Sequence, residues 1–168
     1  MPTSPFLVIG DHGQHCDDVF AHLRRNFQGY TDDNCPTLIG LGASSISRLP
    51  SRYVQNAPAA TYVQRIESGT LARARGHVMT RDDLLRARAI EMLMCDFRLD
   101  RDALRRNFGA QAATLAPMLA TIAERYGDLV TLTDESLTVE PQGRPLTRII
   151  ASALDAHLSD NKRFSQAS

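Results

Sequence analysis

Residues 25–47 read RNFQGYTDDNCPTLIGLGASSIS. The stretch opens on an aromatic and polar run, Asn26, Phe27, Gln28, Gly29 and Tyr30, and closes on a loop of small residues, Gly40, Leu41, Gly42, Ala43, Ser44, Ser45, Ile46 and Ser47. Neither half has the pattern of an ordinary core or of an ordinary surface. Gln28 offers an amide that both donates and accepts, while Phe27 and Tyr30 offer flat apolar walls. Gly40, Gly42, Ala43, Ser44 and Ser45 leave room beside those walls, and Ile46 presents an apolar edge. Small residues with a few polar handles are how a protein accommodates a cofactor or a flat ligand. A tightly packed loop with no ligand has the same composition, so both readings stand at this point.

Working outward toward the N-terminus, Phe6, Leu7, Val8 and Ile9 form an apolar run between Pro5 and Gly10, the pattern of a strand covered on both faces. No basic residue precedes the run, and it is too short for a signal peptide or a membrane span. Residues 17–24 predict a short helix with Val19, Phe20 and Leu23 on one side. Thr37, Leu38, Ile39, Gly40 and Leu41 are a second short apolar run, and residues 58–67 predict a helix that ends at Gly69. Residues 71–79 are basic and irregular, with Arg73 and Arg75, and read as a linker.

Beyond that linker the periodicity becomes helical. Thr80 is placed to cap a helix, with Asp82 and Asp83 where the helix dipole favours negative charge. Leu85, Ala89, Met92 and Leu93 then recur along one face. Arg81, Arg86 and Arg88 alternate with Asp82, Asp83 and Glu91, as on a solvated face with ion pairs one turn apart. Asp100 caps a short helix that runs to Phe108 and stops at Gly109. A third helix carries Leu115, Met118, Leu119, Ile122 and Tyr126 on its inner face, with Pro117 in its first turn. Residues 129–139 predict a hairpin, and Pro145 opens a last helix with Leu146, Ile149, Ile150, Ala153 and Leu154 facing inward. The expected fold is α+β and mostly helical: a short strand and loop segment, then a helical domain with a β-hairpin in a winged-helix-like order. The expected division is residues 1–70, a linker at 71–79, a helical domain at 80–160 and a tail at 161–168.

Composition narrows the function. With 168 residues and 43% hydrophobic content the chain can bury a core, the composition of a folded rather than a disordered chain. Lys+Arg and Asp+Glu both number 19, so the chain lacks the basic excess of a nucleic-acid binder. The helix placed to read DNA, residues 112–126, offers few of the Arg, Lys, Asn and Gln side chains that contact phosphates and bases. The three cysteines, Cys16, Cys35 and Cys95, are widely spaced and form no C-x-x-C pair, which fits a reducing cytoplasmic compartment. His12, His15 and Cys16 lie close together but match no zinc spacing, and they read as a loop between strand and helix. Cys35 has no histidine placed beside it to activate a thiolate.

RNFQGYT followed by LIGLGASSIS resembles the oxygen-independent coproporphyrinogen III oxidases, the radical S-adenosylmethionine enzymes of bacterial haem synthesis. Gln55 and Asn56, Arg75 and Gly76, TRDDLLR from Thr80, CDFRLD from Cys95, and the run Gly143, Arg144, Pro145, Leu146, Thr147 and Arg148 extend the resemblance, in the family's order, over roughly residues 25–158. At the front, Val8, Ile9, Gly10, Asp11 and His12 resemble the family's IG-x-DHFA strand with one residue fewer, and Gly13 and Gln14 replace Phe-Ala.

The resemblance implies the C-terminal portion of such an enzyme. In the family, a larger N-terminal partial (β/α) barrel carries a C-x-x-x-C-x-x-C motif for a [4Fe–4S] cluster and a glycine-rich S-adenosylmethionine motif. The family reaction converts two propionates of coproporphyrinogen III to vinyl groups. This chain has no C-x-x-x-C-x-x-C motif. It is therefore expected to need a radical S-adenosylmethionine barrel or an equivalent subunit, to bind neither cofactor tightly alone, and not to turn over by itself. Residues 1–70 are then expected to be the edge of such a barrel. Ile46 matches the isoleucine that contacts S-adenosylmethionine in the family. Gln28 matches the glutamine of the RNFQGY run, near the second S-adenosylmethionine or the substrate. No nucleic acid or membrane partner is expected. A stand-alone tetrapyrrole- or partner-binding module is the other reading.

Overall fold

The computed structural model describes residues 24–26, 29–31 and 35–158. The expected strand at residues 6–9 and nearly all of the helix expected at 17–24 lie outside them; Arg24 itself belongs to a strand. The chain is α+β, with three small antiparallel sheets and five α-helices among the described residues.

The first unit is built from short strands. β1 (Arg24–Asn26) pairs with β2 (Gly29–Thr31), Arg24 opposite Thr31. β3 (Ile46–Leu49) and β4 (Arg52–Asn56) form a tight hairpin with Ile46 opposite Gln55 and Leu49 opposite Arg52. α1 (Ala59–Glu67) follows, and Gly69 (φ 73°) turns the chain out of it. β5 (Arg73–Val78) then returns along β4, giving the order β3-β4-β5 with Tyr53 opposite His77 and Gln55 opposite Arg75. This corrects the irregular linker expected at residues 71–79. β5 is an edge strand, and all six of its residues are exposed. The apolar alternation that normally reveals a strand is therefore absent from RARGHV, and only the backbone ladder to β4 defines it.

The run at residues 37–41 also differs from a buried strand. Leu38 makes a single antiparallel bridge to Arg48, while Ile39 and Leu41 point to solvent. The described residues of this unit thus bury little apolar surface. Its buried apolar residues, among those described, are Ala57 and Ala72, and α1 buries none.

The second unit carries the core. α2 (Arg81–Asp96) starts on a capping box: the Thr80 hydroxyl accepts from the Asp83 N–H at 3.1 Å, and the Asp83 carboxylate accepts from the Thr80 N–H at 2.8 Å. It ends at Phe97, a non-glycine residue in the left-handed region (φ 53°), whose ring lies 4.6 Å below the Arg144 guanidinium. Leu85, Ala89, Met92 and Leu93 are buried, as their spacing predicts. Arg86 pairs with Asp82 one turn back and also donates to the Leu154 carbonyl at 3.1 Å, tying α2 to the end of the chain's last helix.

β6 (Arg98–Asp100) leads into α3 (Arg101–Phe108), capped by Asp100, whose Oδ1 accepts from the Ala103 N–H at 2.8 Å. A 3₁₀ segment, Gly109–Leu115, precedes α4 (Ala116–Tyr126), where Leu119 and Ile122 are buried. β7 (Val130–Leu132) and β8 (Ser136–Val139) form the expected hairpin. β8 also pairs with β6, so the sheet order is β6-β8-β7. Leu85, Leu93, Leu99, Leu104, Leu115, Ile122, Leu137, Val139, Ile150 and Leu154 are essentially inaccessible and form one cluster.

The closing helix is shorter than expected. A 3₁₀ turn, Pro141–Leu146, comes first, with Gly143 packed against the Leu129 backbone; α5 is Thr147–Ser152. The change of helical pitch rotates the face. Ile150, Ala151 and Leu154 are buried, whereas Leu146, Ile149 and Ala153, expected inside, are exposed. Among the described residues no helix is long and apolar enough to cross a membrane.

Candidate functional site

The loop between Leu38 and β3 is held by side chains that reach back from the strands it joins. Asn56, at the end of β4, donates from Nδ2 to the Gly42 carbonyl at 3.1 Å and to Ser45 Oγ at 3.0 Å, with the Gly40 carbonyl at 3.5 Å. Ser45 Oγ in turn donates to the Gly42 carbonyl at 2.7 Å. The Gly40 N–H donates to Ser47 Oγ at 3.1 Å. Backbone bonds from Ser44 N–H to the Ala57 carbonyl and from Asn56 N–H to the Ser45 carbonyl, both 2.9 Å, complete the clasp.

The glycines do different things. A Cβ at Gly40 would lie 2.5 Å from the Ile46 carbonyl oxygen, so the space beside Gly40 is already filled by the backbone of β3. At Gly42 (φ 96°) nothing lies within 4 Å of a Cβ; that position needs glycine for its backbone and faces open space. Ser44 is also left-handed (φ 59°). The loop is thus tightly packed on one side and open on the other.

Ile46 is half-buried at the head of β3, on the strand that this loop enters. Opposite it, Gln55 donates from Nε2 to the Ser44 carbonyl at 3.3 Å and accepts from Arg75 Nε at 2.7 Å. Ser44, Gln55 and Arg75 therefore form a polar relay beside Ile46. Tyr30 is half-exposed, with its hydroxyl donating to the Met94 carbonyl of α2 at 3.4 Å. Gln28 and Phe27 lie outside the described residues, as do His12, His15 and Cys16. Asn56, Gln55, Arg75 and Ser47 were not legible as site residues from spacing. They act through a strand pairing that brings position 56 within reach of position 42.

A second convergence lies where β5 meets the head of α2. His77 of β5, Asp83 of α2 and His157, which follows α5, meet there: Asp83 Oδ1 is 2.8 Å from His157 Nε2, and Asp83 Oδ2 is 3.5 Å from His77 Nε2. The Thr80 backbone N–H, foremost, and then His157 hold the Asp83 carboxyl well below the usual carboxylate range.

Comparison with known proteins gives this geometry a context. The chain is 53% identical over 172 residues to "Coproporphyrinogen III oxidase, anaerobic 1" of Cereibacter sphaeroides (strain ATCC 17023), covering 97% of this chain and 38% of that protein. It is 49% identical over 172 residues, with the same coverage, to an oxygen-independent coproporphyrinogen III oxidase of Cereibacter sphaeroides (strain ATCC 17025). Nearly the whole chain is thus similar to one part of the oxygen-independent coproporphyrinogen III oxidases. It spans about 38% of the length of those curated relatives. Its fold matches a solved coproporphyrinogen III oxidase from Escherichia coli, described as a radical SAM enzyme, with a TM-score of 0.75 at 32% identity over 82% of this chain and 32% of that one. No protein-family model matches the chain.

The oxidase family's radical chemistry implies an iron–sulfur cluster, and the cysteines among the described residues, Cys35 and Cys95, do not fit one. Cys35 is exposed in a loop with its Sγ 3.2 Å from the Thr37 carbonyl, and Cys95 is buried on α2. A cluster needs its thiolates converging on one site.

Proposed function

We propose that this chain is the C-terminal part of an oxygen-independent coproporphyrinogen III oxidase-like enzyme of haem synthesis, closing one side of a pocket whose radical-generating barrel it does not contain. The observation that carries the reading is the exposed apolar surface among the described residues of the first unit. A three-stranded sheet and an amphipathic helix need an apolar face to pack on. Among the described residues Val63 and Ile66 of α1 are 52% and 50% exposed, and Ile39 and Leu41 beside the glycine–serine loop are 62% and 87% exposed. These side chains sit on the unit that resembles the barrel's edge and await a cover of comparable apolar character. The helical unit, with its own sealed core, is a self-sufficient winged-helix-like domain that docks as a block.

In this reading the barrel supplies the [4Fe–4S] cluster and the main S-adenosylmethionine contacts. The present chain adds a wall, with Ile46 and Gln28 as its contact residues, and coproporphyrinogen III lies on the far side. The clasp of Asn56 on the loop keeps Ile46 at a constant height on that wall, so position and water exclusion are what this chain contributes.

The test is reconstitution. The complementary part of the Cereibacter sphaeroides relative, assembled with iron and sulfide under anaerobic conditions, is mixed with this chain, and S-adenosylmethionine cleavage and vinyl formation are followed. Neither part is expected to turn over alone, and the mixture is expected to convert coproporphyrinogen III. Ile46→Asp is expected to lower kcat/KM of the mixture by roughly tenfold or more. Failure of the mixture, together with saturable binding of coproporphyrin III by this chain alone, would establish the stand-alone tetrapyrrole module instead.

A further inference from the structure

We propose that His77, Asp83 and His157 form a binding site for a divalent cation of the zinc class, which staples the edge strand β5 and the residues after α5 onto the head of α2. Three kinds of observation lead there. The first is convergence: one ligand atom from each residue lies within 4.8 Å of the other two. Zinc holds nitrogen and oxygen at roughly 2.0–2.2 Å, which puts ligand atoms about 3.3 Å apart around a tetrahedron. His157 Nε2 lies 2.8 Å from Asp83 Oδ1 and His77 Nε2 lies 3.5 Å from Oδ2 of the same carboxylate, distances close to that spacing. The imidazoles are 54% and 64% exposed, so the adjustment needed is a small rotation of two unhindered rings.

The second is the preparation of the carboxylate. Asp83 is only 10% exposed, and its Oδ2 accepts from both the N–H and the hydroxyl of Thr80 at 2.8 Å. Such outer partners orient a ligating carboxylate before the ion arrives. Oδ1 is left facing His157, on the open side.

The third is the electrostatics of the rings. Both histidines aim Nε2 at the same carboxylate, with their rings edge to face at 5.3 Å between centroids. Two imidazolium charges at that distance repel each other across one anion. A single divalent cation satisfies two neutral imidazole nitrogens and the carboxylate together, and leaves a fourth position to water. Two nitrogens and one oxygen favour zinc, cobalt or nickel over magnesium or calcium, which take oxygen ligands.

The experiment uses the whole 168-residue chain, stripped with chelator and titrated with Zn²⁺ by calorimetry and with Co²⁺ by visible absorption. The expected result is one saturable site, whose Co²⁺ spectrum shows ligand-field bands without a thiolate charge-transfer band. Affinity is expected to fall at least tenfold in His77→Ala and in His157→Ala. It is expected to be unchanged in the triple variant His12→Ala, His15→Ala, Cys16→Ser, which removes the other histidine and cysteine cluster. Because both rings are exposed, circular dichroism is expected to show the two single variants folded. Absence of saturable binding, or binding that survives either single variant, would overturn the site.

Discussion

Asn56→Asp is the sharpest perturbation of the glycine–serine loop, because it changes the chemistry of one group and almost none of its shape. The Asn56 amide faces three oxygens: the Gly42 carbonyl at 3.1 Å, Ser45 Oγ at 3.0 Å and the Gly40 carbonyl at 3.5 Å. An amide nitrogen has two hydrogens, so it satisfies the two nearer acceptors and leaves the third as a weak contact. Each bond contributes about 0.5–1.5 kcal/mol net, so Asn56→Ala should cost the loop about 1–3 kcal/mol. Asn56→Asp should cost more, since a carboxylate has no hydrogen to offer and sets negative charge against two carbonyls. The assay is native-state hydrogen exchange at the Gly40 and Ser44 amides, which donate to Ser47 Oγ and the Ala57 carbonyl. Protection should drop by roughly 5- to 150-fold in Asn56→Ala and further in Asn56→Asp, converting at about 1.4 kcal/mol per tenfold. The core of the helical unit should keep its protection, because none of its residues takes part in the clasp. Equal protection in wild type and Asn56→Asp would refute the assigned bonds, as would a smaller loss in Asn56→Asp than in Asn56→Ala.

Two more predictions concern the helical unit. Gly143→Ala places a methyl 2.5 Å from the Leu129 carbonyl oxygen and 3.2 Å from Val139 Cγ1, inside a buried turn. It should cost about 1–3 kcal/mol by overpacking, a Tm drop of roughly 3–10 °C; a Tm within about 1 °C of wild type would count against that packing. Asp100 is held below its ordinary pKa first by the Ala103 N–H and further by the Asp102 N–H, Arg106 and Arg98. A depressed folded pKa means that its contribution is present above about pH 4, the value for an unfolded aspartate, and is lost as pH falls through the lower folded value. Asp100→Asn, which keeps an acceptor at the cap, should therefore flatten the acid side of a Tm-against-pH curve, whereas Asp100→Ala should also lower Tm at neutral pH by removing a cap of about 1 kcal/mol.

Legibility in the sequence followed burial. Leu85, Ala89, Met92 and Leu93 read as one helical face because they pack on one core, and all four are buried. β5 was illegible because nothing covers either of its faces: Arg73, Arg75 and His77 alternate with Ala74, Gly76 and Val78, all exposed. The closing helix departs from its sequence pattern at Leu146, Ile149 and Ala153, because a 3₁₀ turn changes the residue count per turn just before it. In the candidate site, Gly40, Gly42, Ser44 and Ser45 were recognisable from their size alone. Their clamp, Asn56, was not, since an asparagine's role depends on which carbonyls a distant strand pairing places around it.

By itself the sequence determined the helical unit and the resemblance to the oxidases. Apolar spacing of three and four, caps at Thr80 and Asp100, and the runs RNFQGYT and LIGLGASSIS are local properties, written within a few neighbouring positions. Tertiary structure alone decided how the loop is held and where the two units meet. It used the small size of Gly40 to seat the Ile46 backbone and kept Gly42 open, a division of labour that composition does not reveal. It also brought His157 to Asp83 across 74 positions, with His77 beside them. The physical reason is reach. Side-chain patterns encode which face is buried, whereas a hydrogen bond or a ligand set depends on ångström distances between segments that only the folded chain brings together.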